Sequence, residues 1–213
     1  MKTSSSENIT DLDHIFFVHE ALRTTATDVT NQAYRLTNGD SLKGFNLAFT
    51  SWIAALVFYL EASEKYLEQH LEQMLYEAKY DGVNTNKTLL MWFTGLSKFH
   101  NDKQLRRIDD ILSTIHVEIG KTSLITRTIQ HLILGILRLK IAQDDYLETQ
   151  EQSLIPLISK HSTSTQQLHF LEHILIDQES DDCKWMIKWV IKNLDSPNKN
   201  LVSNLGNHLD STT

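Results

Sequence analysis

Two histidines, His19 and His100, stand on helix faces that are otherwise apolar. A neutral imidazole can bind a metal ion, and an imidazole can also transfer protons near neutral pH, so a pair of histidines facing a helical interior could serve either chemistry. The alternative interpretation is that each is a core histidine hydrogen-bonded to a neighbour. Both interpretations require long helices that enclose the pair.

A second group of candidate ligands lies near the C-terminus. His169, His173 and Asp177 follow one another at intervals of four residues, which places them on one side of a continuous helix. They are the second candidate metal site, and the alternative is an ordinary solvated helix face. The chain has no GxSxG, CxxC or phosphate-binding loop that would indicate a nucleophilic or nucleotide site.

The composition narrows the classes of protein. Of 213 residues only Cys183 is a cysteine, so an intramolecular disulfide is excluded and a cytoplasmic location is predicted. A formal charge of −7 argues against nucleic acid as a partner. The N-terminus does not resemble a signal peptide, and no uninterrupted apolar run reaches the about 20 residues of a membrane-spanning helix.

The elements around the histidines are predicted to be helical throughout. Two prolines and seven glycines are too few for a sheet protein of this length. Apolar residues at three-and-four spacing predict helices at about 11–36, 45–79 and 87–119, and from 122 to Pro156, where proline should bend or end the helix. Four long helices with short connections predict an all-α, antiparallel up-down four-helix bundle.

One or two further helices are predicted after the bundle. Ser162 to Thr165 offer N-cap residues for a helix through about Gln178, and a last helix covers about 183–193, where Trp185 and Trp189 pack onto the bundle. The predicted organisation is a flexible leader at 1–11, one domain at 12–195 with core helices at about 12–160 and C-terminal helices at about 163–194, and a flexible tail at 196–213.

Three segments, taken in order, resemble a known family. They are Phe17 to Arg23 (FVHEALR), Phe99-His100 with the following Ile108 to Leu112, and Leu147 to Ile158 (LETQEQSLIPLI). Over residues 12–160 the chain is similar to the hemerythrin-like (His-His-Glu) cation-binding family. This resemblance implies a four-helix bundle that holds two irons through histidines and bridging carboxylates, and that binds dioxygen or senses iron and oxygen.

The chain departs from the family pattern where the metal ligands should be. The His and Glu of the family's HxxxE helix would fall on Tyr146 and Gln150, and the second helix contains no HxxxE. The resemblance therefore implies a degenerate site, with no cofactor favoured. In the same register Gln104 would join His19, His100, Tyr146 and Gln150 in a polar-lined interior pocket.

The predicted function is the binding of a small organic molecule in that interior. If the molecule is also transformed, His19 or His100 is the expected acid or base and Tyr146 the hydrogen-bond donor. One alternative is an iron protein with an atypical ligand set, drawn from His19, His100, His131, Glu148 and Glu151. Another is a metal-free module that docks a protein partner or a second copy of the chain through its acidic surface.

Overall fold

The computed structural model describes residues 12, 14–81, 102–104, 106–117, 125–195, 198–199 and 202–203. The regular structure in these ranges is entirely helical, with no strand. The helices are α1 (His14–Arg35), α2 (Lys43–Asp81), α3 (102–104 and 106–117), α4 (Thr126–Thr149), a π-helical turn (Gln150–Leu154), α5 (Ile155–His161), α6 (Ser164–Leu175) and α7 (Trp185–Asn193).

The connection between α1 and α2 turns at a glycine. Gly39 has a φ of +90°, a left-handed conformation that glycine adopts without steric cost. Asp40 closes the turn, since its carboxylate accepts hydrogen bonds from the backbone N–H of Thr37 at 2.7 Å and from the Thr37 hydroxyl at 2.9 Å. These bonds lower the pKa of the Asp40 carboxyl. The turn sends α2 back along α1.

Contacts between helices fix their relative directions. Gln104 meets Ala142 and Thr114 meets His131, so α3 and α4 are antiparallel. The start of α1 lies beside the π turn that follows α4. At the other end, Asn38, just after α1, accepts a hydrogen bond from Thr126 at the start of α4. α1 and α4 are therefore also antiparallel. α1 packs against α2, α4 and α7, and α2 packs against α6.

One cluster of buried side chains runs through all of these helices. The stripe predicted for α1 is buried at Ile15, Leu22, Ala26, Val29 and Ala33, and the part of α3 that is described buries Ile108, Ile111 and Ile115. Phe170 of α6 and Val190 of α7 belong to the same cluster, as does Val202 within the predicted tail. Burial of each large apolar side chain contributes about 1.5 to 3 kcal/mol to folding.

The fourth helix changes geometry before Pro156. α-helical hydrogen bonding ends at Thr149, and the N–H of Ile155 bonds to the carbonyl of Gln150, five residues back. Proline has no N–H, and in α geometry its ring would contact the carbonyl four residues earlier. The wider π turn relieves that contact, so the chain stays helical through Pro156 and ends at His161.

Of the two C-terminal helices, α6 begins with the predicted capping residues and α7 packs through the predicted tryptophans. Thr163 is the N-cap of α6 and forms a capping box with Gln166. In α7, Trp185 packs edge-on against Phe58 of α2 with ring centroids 5.3 Å apart, and Trp189 donates to the Ser51 hydroxyl at 3.1 Å. Both tryptophans therefore hold α7 against α2, as predicted.

One stretch of the described residues, Lys43–Tyr66 of α2, is long and apolar enough to cross a membrane by length and composition. The sequence prediction concerned uninterrupted apolar runs, and polar residues such as Asn46, Thr50 and Ser51 interrupt this one. Such a signal is weak, because the core helix of a soluble protein passes the same test, and 44% of the apolar window is buried against other parts of this chain.

Candidate functional site

The described site is centred on His19, whose side chain is fully buried. Its Nδ1 atom lies 2.7 Å from Oε1 of Glu151, and its Nε2 atom lies 2.6 Å from the hydroxyl of Tyr59. The rings of His19 and Tyr59 also meet edge to face, with centroids 5.4 Å apart. Both ring nitrogens are therefore engaged by other side chains.

Glu151 is bound by residues from two successive turns of α1. Besides the contact with His19, it forms a bidentate ion pair with Arg23, with nitrogen–oxygen distances of 2.7 and 3.1 Å. Partial burial would raise the pKa of Glu151, but the hydrogen bonds and charges of His19 and Arg23 outweigh it and lower that pKa to about 2. Glu151 is thus a carboxylate at neutral pH.

A second row of polar groups continues from Tyr59 into the interior. Its hydroxyl donates to the side-chain oxygen of Gln150, whose amide nitrogen donates to the hydroxyl of Tyr146 at 2.7 Å. Tyr146 lies 3.2 Å from the hydroxyl of Ser63, and Ser63 donates to the carbonyl of Leu60. We call these side chains, His19, Glu151, Arg23, Tyr59, Gln150, Tyr146 and Ser63, the His19 network.

The hydrogen bonds of the network can be balanced in two ways. When Tyr59 donates to Gln150, the phenol oxygen accepts from Nε2–H of His19, and Nδ1–H donates to the Glu151 carboxylate, so the imidazole is cationic. If the amide of Gln150 turns by 180°, it donates to Tyr59, and Tyr59 donates to a neutral imidazole. The two arrangements differ by one proton on His19.

Burial decides between the two arrangements near neutral pH. Burial lowers the pKa of His19 more strongly than the bond to Glu151 raises it. Burial also raises the pKa of Tyr59 well above its usual range, so the phenol keeps its proton. These effects favour the neutral imidazole with its hydrogen on Nδ1, and this form requires the turned amide of Gln150 in place of the directions given above for Tyr59 and Tyr146.

The π turn positions the two residues that receive these bonds. In an α-helix, adjacent residues point about 100° apart. Gln150 and Glu151 open the π turn, and here Gln150 reaches Tyr59 and Tyr146 while Glu151 reaches His19 and Arg23. The turn thus connects α2 and α1 to one point of the fourth helix.

Two buried amides lie outside the network and are incompletely bonded. Gln104 of α3 donates to the carbonyl of Ala142, and Gln143, the next residue of α4, accepts from the indole of Trp52 at 2.8 Å. Within the described chain, Oε1 of Gln104 and Nε2 of Gln143 are buried without a hydrogen-bond partner. One is an acceptor and the other a donor.

The predicted pocket residues are only partly brought together. His19, Tyr146 and Gln150 belong to one network. Gln104, on α3, lies outside it and donates to the backbone carbonyl of Ala142 in α4. His100 lies outside the described residues. Glu151, named only as a metal ligand of the iron alternative, is a direct partner of His19.

The other proposed ligands of an atypical iron site lie elsewhere. His131 is exposed and lies 3.3 Å from Thr114, and Glu148 is exposed and accepts a hydrogen bond from Gln152. Twenty residues of helix separate His131 from Glu151, which is about 30 Å at 1.5 Å per residue. His131 therefore cannot share a site with the His19 network.

The predicted group of His169, His173 and Asp177 is not a metal site. α6 ends at Leu175, so Asp177 leaves the helical register, and its oxygens accept from the indole of Trp185 and from the N–H of Glu179. His173 packs on Tyr66. No group of three histidine, cysteine, aspartate or glutamate side chains in the described ranges could hold a metal ion.

Sequence reasoning missed Arg23, Ser63 and the role of Tyr59. Arg23 stands four residues after His19, on the same side of α1, and that spacing could have indicated a shared partner. Tyr59 lies within the apolar pattern of the helix predicted at about 45–79, where it resembles a core residue, although a buried tyrosine hydroxyl needs a hydrogen-bond partner.

Comparisons with protein-family models, curated proteins and solved structures give no match to this chain. The similarity to the hemerythrin-like family accordingly stays a prediction from the sequence.

Proposed function

We propose that this chain is a hemerythrin-like four-helix bundle in which the His19 network stands in place of the metal site, and that its interior binds a small neutral organic molecule beside Gln104 and Gln143. α1 to α4 would be the bundle, and α5 to α7 its C-terminal addition. α1 and α3 each run antiparallel to α4, as in an up-down bundle, and this supports the proposed arrangement.

The network favours the metal-free form of the proposal. A metal ion on His19 would have to displace either Glu151 or Tyr59 from its ring, and a metal on Glu151 would compete with the guanidinium of Arg23. Each displacement leaves a buried or half-buried polar group without its partner, which costs about 1 to 3 kcal/mol. Iron bound through atypical ligands is therefore the less favoured alternative.

The observation that carries the binding proposal is the pair of incompletely bonded amides. A buried polar atom without a partner is rare in folded proteins and usually contacts a water or ligand. The acceptor on Gln104 and the donor on Gln143 together suit a molecule that both donates and accepts, such as a primary carboxamide or an alcohol. We propose binding rather than catalysis, since His19 is enclosed and both its nitrogens are engaged.

The test uses acetamide, which donates and accepts, and N,N-dimethylacetamide, which only accepts. We expect acetamide to shift the side-chain amide NMR signals of both Gln104 and Gln143 saturably, and the dimethyl compound, which can bond only to the donor of Gln143, to leave the Gln104 signal unchanged. The same titration of Gln104→Leu should show no saturable shift. Gln152→Leu is the matched control, because Gln152 is exposed on the outer side of the π turn.

Two results would overturn the proposal. One is that neither amide signal responds to acetamide, with a crystal structure showing ordered water on both atoms. The other is stoichiometric iron or manganese in protein purified without chelators that is lost in His19→Ala, which would restore the metal alternative.

A further inference from the structure

The outward side of α4 carries an ordered row of exposed residues, here called the α4 stripe. Its members recur at alternating intervals of four and three, the spacing of a helix face that pairs with another helix. They are Arg127, His131, Leu134, Arg138, Ile141, Asp145 and Glu148.

Two apolar residues flank the centre of the stripe. Leu134 and Ile141, one heptad apart, are 52% and 58% exposed, and they are among the few large hydrophobic side chains that the described structure leaves open to solvent. Beside Leu134, a groove of ≈ 490 Å³ runs between α3 and α4. Its floor is at Gly135, where a Cβ atom would lie 2.8 Å from Cγ1 of Ile111. The groove can receive a side chain from outside.

The two ends of the stripe carry opposite charges. Arg127 lies at the N-terminal end and Asp145 and Glu148 lie toward the C-terminal end, while Arg138 lies at the centre, between Leu134 and Ile141. In the described structure Arg127, Arg138 and Asp145 form no ion pair. Glu148 accepts a hydrogen bond from Gln152 on its own helix, and its charge also acts on Arg23 of α1. The stripe thus presents unpaired charge of both signs in a fixed order.

We propose that the α4 stripe is the interface of a homodimer in which α4 packs antiparallel against α4 of a second copy. An isologous pair about a two-fold axis brings each end of the stripe against the opposite end of the other copy. Leu134 and Ile141 have the same midpoint along α4 as Arg127 and Glu148. If Leu134 contacts Ile141 of the second copy, Arg127 therefore lies opposite Glu148 of the second copy.

The charge pattern of the α4 stripe is complementary to itself when reversed, so the partner that fits it is a second copy of the chain. A partner of a single charge would be attracted to one end of the stripe and repelled by the other. The same copy, reversed, matches both ends twice and covers both apolar residues. Arg127 and Glu148 cannot satisfy each other within one chain, since 21 residues of helix hold them about 31 Å apart.

The first measurement is the molar mass of the full chain by sedimentation equilibrium over a wide concentration range. We expect a reversible dimer that weakens with added salt, because exposed ion pairs are screened. Leu134→Glu should be monomeric with an unchanged circular dichroism spectrum. Leu47→Glu, at a 76% exposed leucine of α2, is the control and should stay dimeric.

A charge exchange then tests the antiparallel pairing. Arg127→Glu alone and Glu148→Arg alone each place like charges opposite one another twice, and each should weaken the dimer by at least tenfold. The double variant R127E/E148R restores both pairs and should recover the dimer.

A chain that is monomeric at every concentration, a Leu134→Glu variant that remains dimeric, or a double variant weaker than either single one would overturn the proposal.

Discussion

His19 and Glu151 are 132 positions apart in the chain, yet Nδ1 of one lies 2.7 Å from a carboxylate oxygen of the other. The contact joins the first turns of α1 to the π turn at the end of the fourth helix. Because Glu151 also binds Arg23, one carboxylate fixes two successive turns of α1. The relationship is therefore expected to govern both the stability of the protein and its response to pH.

Replacing His19 with alanine should lower the free energy of unfolding by about 2 to 4 kcal/mol. The change removes the two hydrogen bonds of the buried imidazole and leaves a cavity at its place, although Tyr59 keeps its bond to Gln150 and Glu151 keeps its bonds to Arg23. Urea unfolding followed by circular dichroism measures the loss. His169→Ala, at a side chain that is 64% exposed, should change the value by less than about 0.5 kcal/mol. Equal losses for both variants would contradict a structural role for the network.

Replacing Glu151 with glutamine should reduce the acid sensitivity of the fold. The pKa of Glu151 is about 2 in the folded protein, below its ordinary value of 4.5. A group with a lowered pKa contributes stability above its unfolded pKa, and that contribution is lost as the pH falls. Wild-type stability should therefore fall between pH 4.5 and 2 more steeply than that of the variant. Parallel stability curves over this window would show that the ion pair does not form.

Nitrogen-15 NMR of His19 should detect one protonated ring nitrogen at neutral pH. Since burial lowers the pKa of His19, the neutral imidazole with Nδ1–H is expected, and its titration midpoint should lie below 6.5. His19→Gln identifies the signals by their disappearance. Protonation of both nitrogens at neutral pH would show instead that Glu151 outweighs burial and that the cationic arrangement is the resting one.

Replacing Tyr66 with phenylalanine should weaken the attachment of α6 to α2 and remove a source of alkaline instability. The Tyr66 hydroxyl donates to the carbonyl of Gln166 at 2.7 Å, a bond worth about 1 kcal/mol. Burial raises the pKa of Tyr66 to about 12, so its contribution is present below pH 10 and is lost as the pH rises through 12. The stability curves of the two proteins should approach each other above pH 10 and cross as the pH rises, because a pKa raised by about two units costs more on ionisation than the single bond contributes. A constant difference from pH 9 to 13 would contradict the assignment.

The sequence predicted the helices better than it predicted the site. Apolar spacing located α1 to within three residues at its start and one at its end, and the capping chemistry at Thr163 marked the beginning of α6. These signals are local, because each depends on residues within a turn or two. Helix type and approximate bounds followed from them.

The contacts of the site depend on helices that are distant in the chain. His19 was identified from its apolar surroundings, but its partner Tyr59 looked like any other core residue, and Arg23 like a surface charge. The error at Asp177 has the same origin, since a spacing of four has meaning only while the helix continues, and α6 ends two residues before it. Periodicity cannot show where a helix stops unless a cap or breaker marks the end.

The π turn at Gln150–Leu154 contains one more residue than an α-helical turn would need. Loss of a single codon in this segment would convert it to regular helix and rotate the residues on one side of it by about 100° against those on the other. The carboxylate would then leave His19 without any amino acid having been exchanged. In evolutionary terms, the pairing of His19 with Glu151 depends on chain length at this point as well as on residue type, so a one-residue gap here in a homologue would signal a remodelled site.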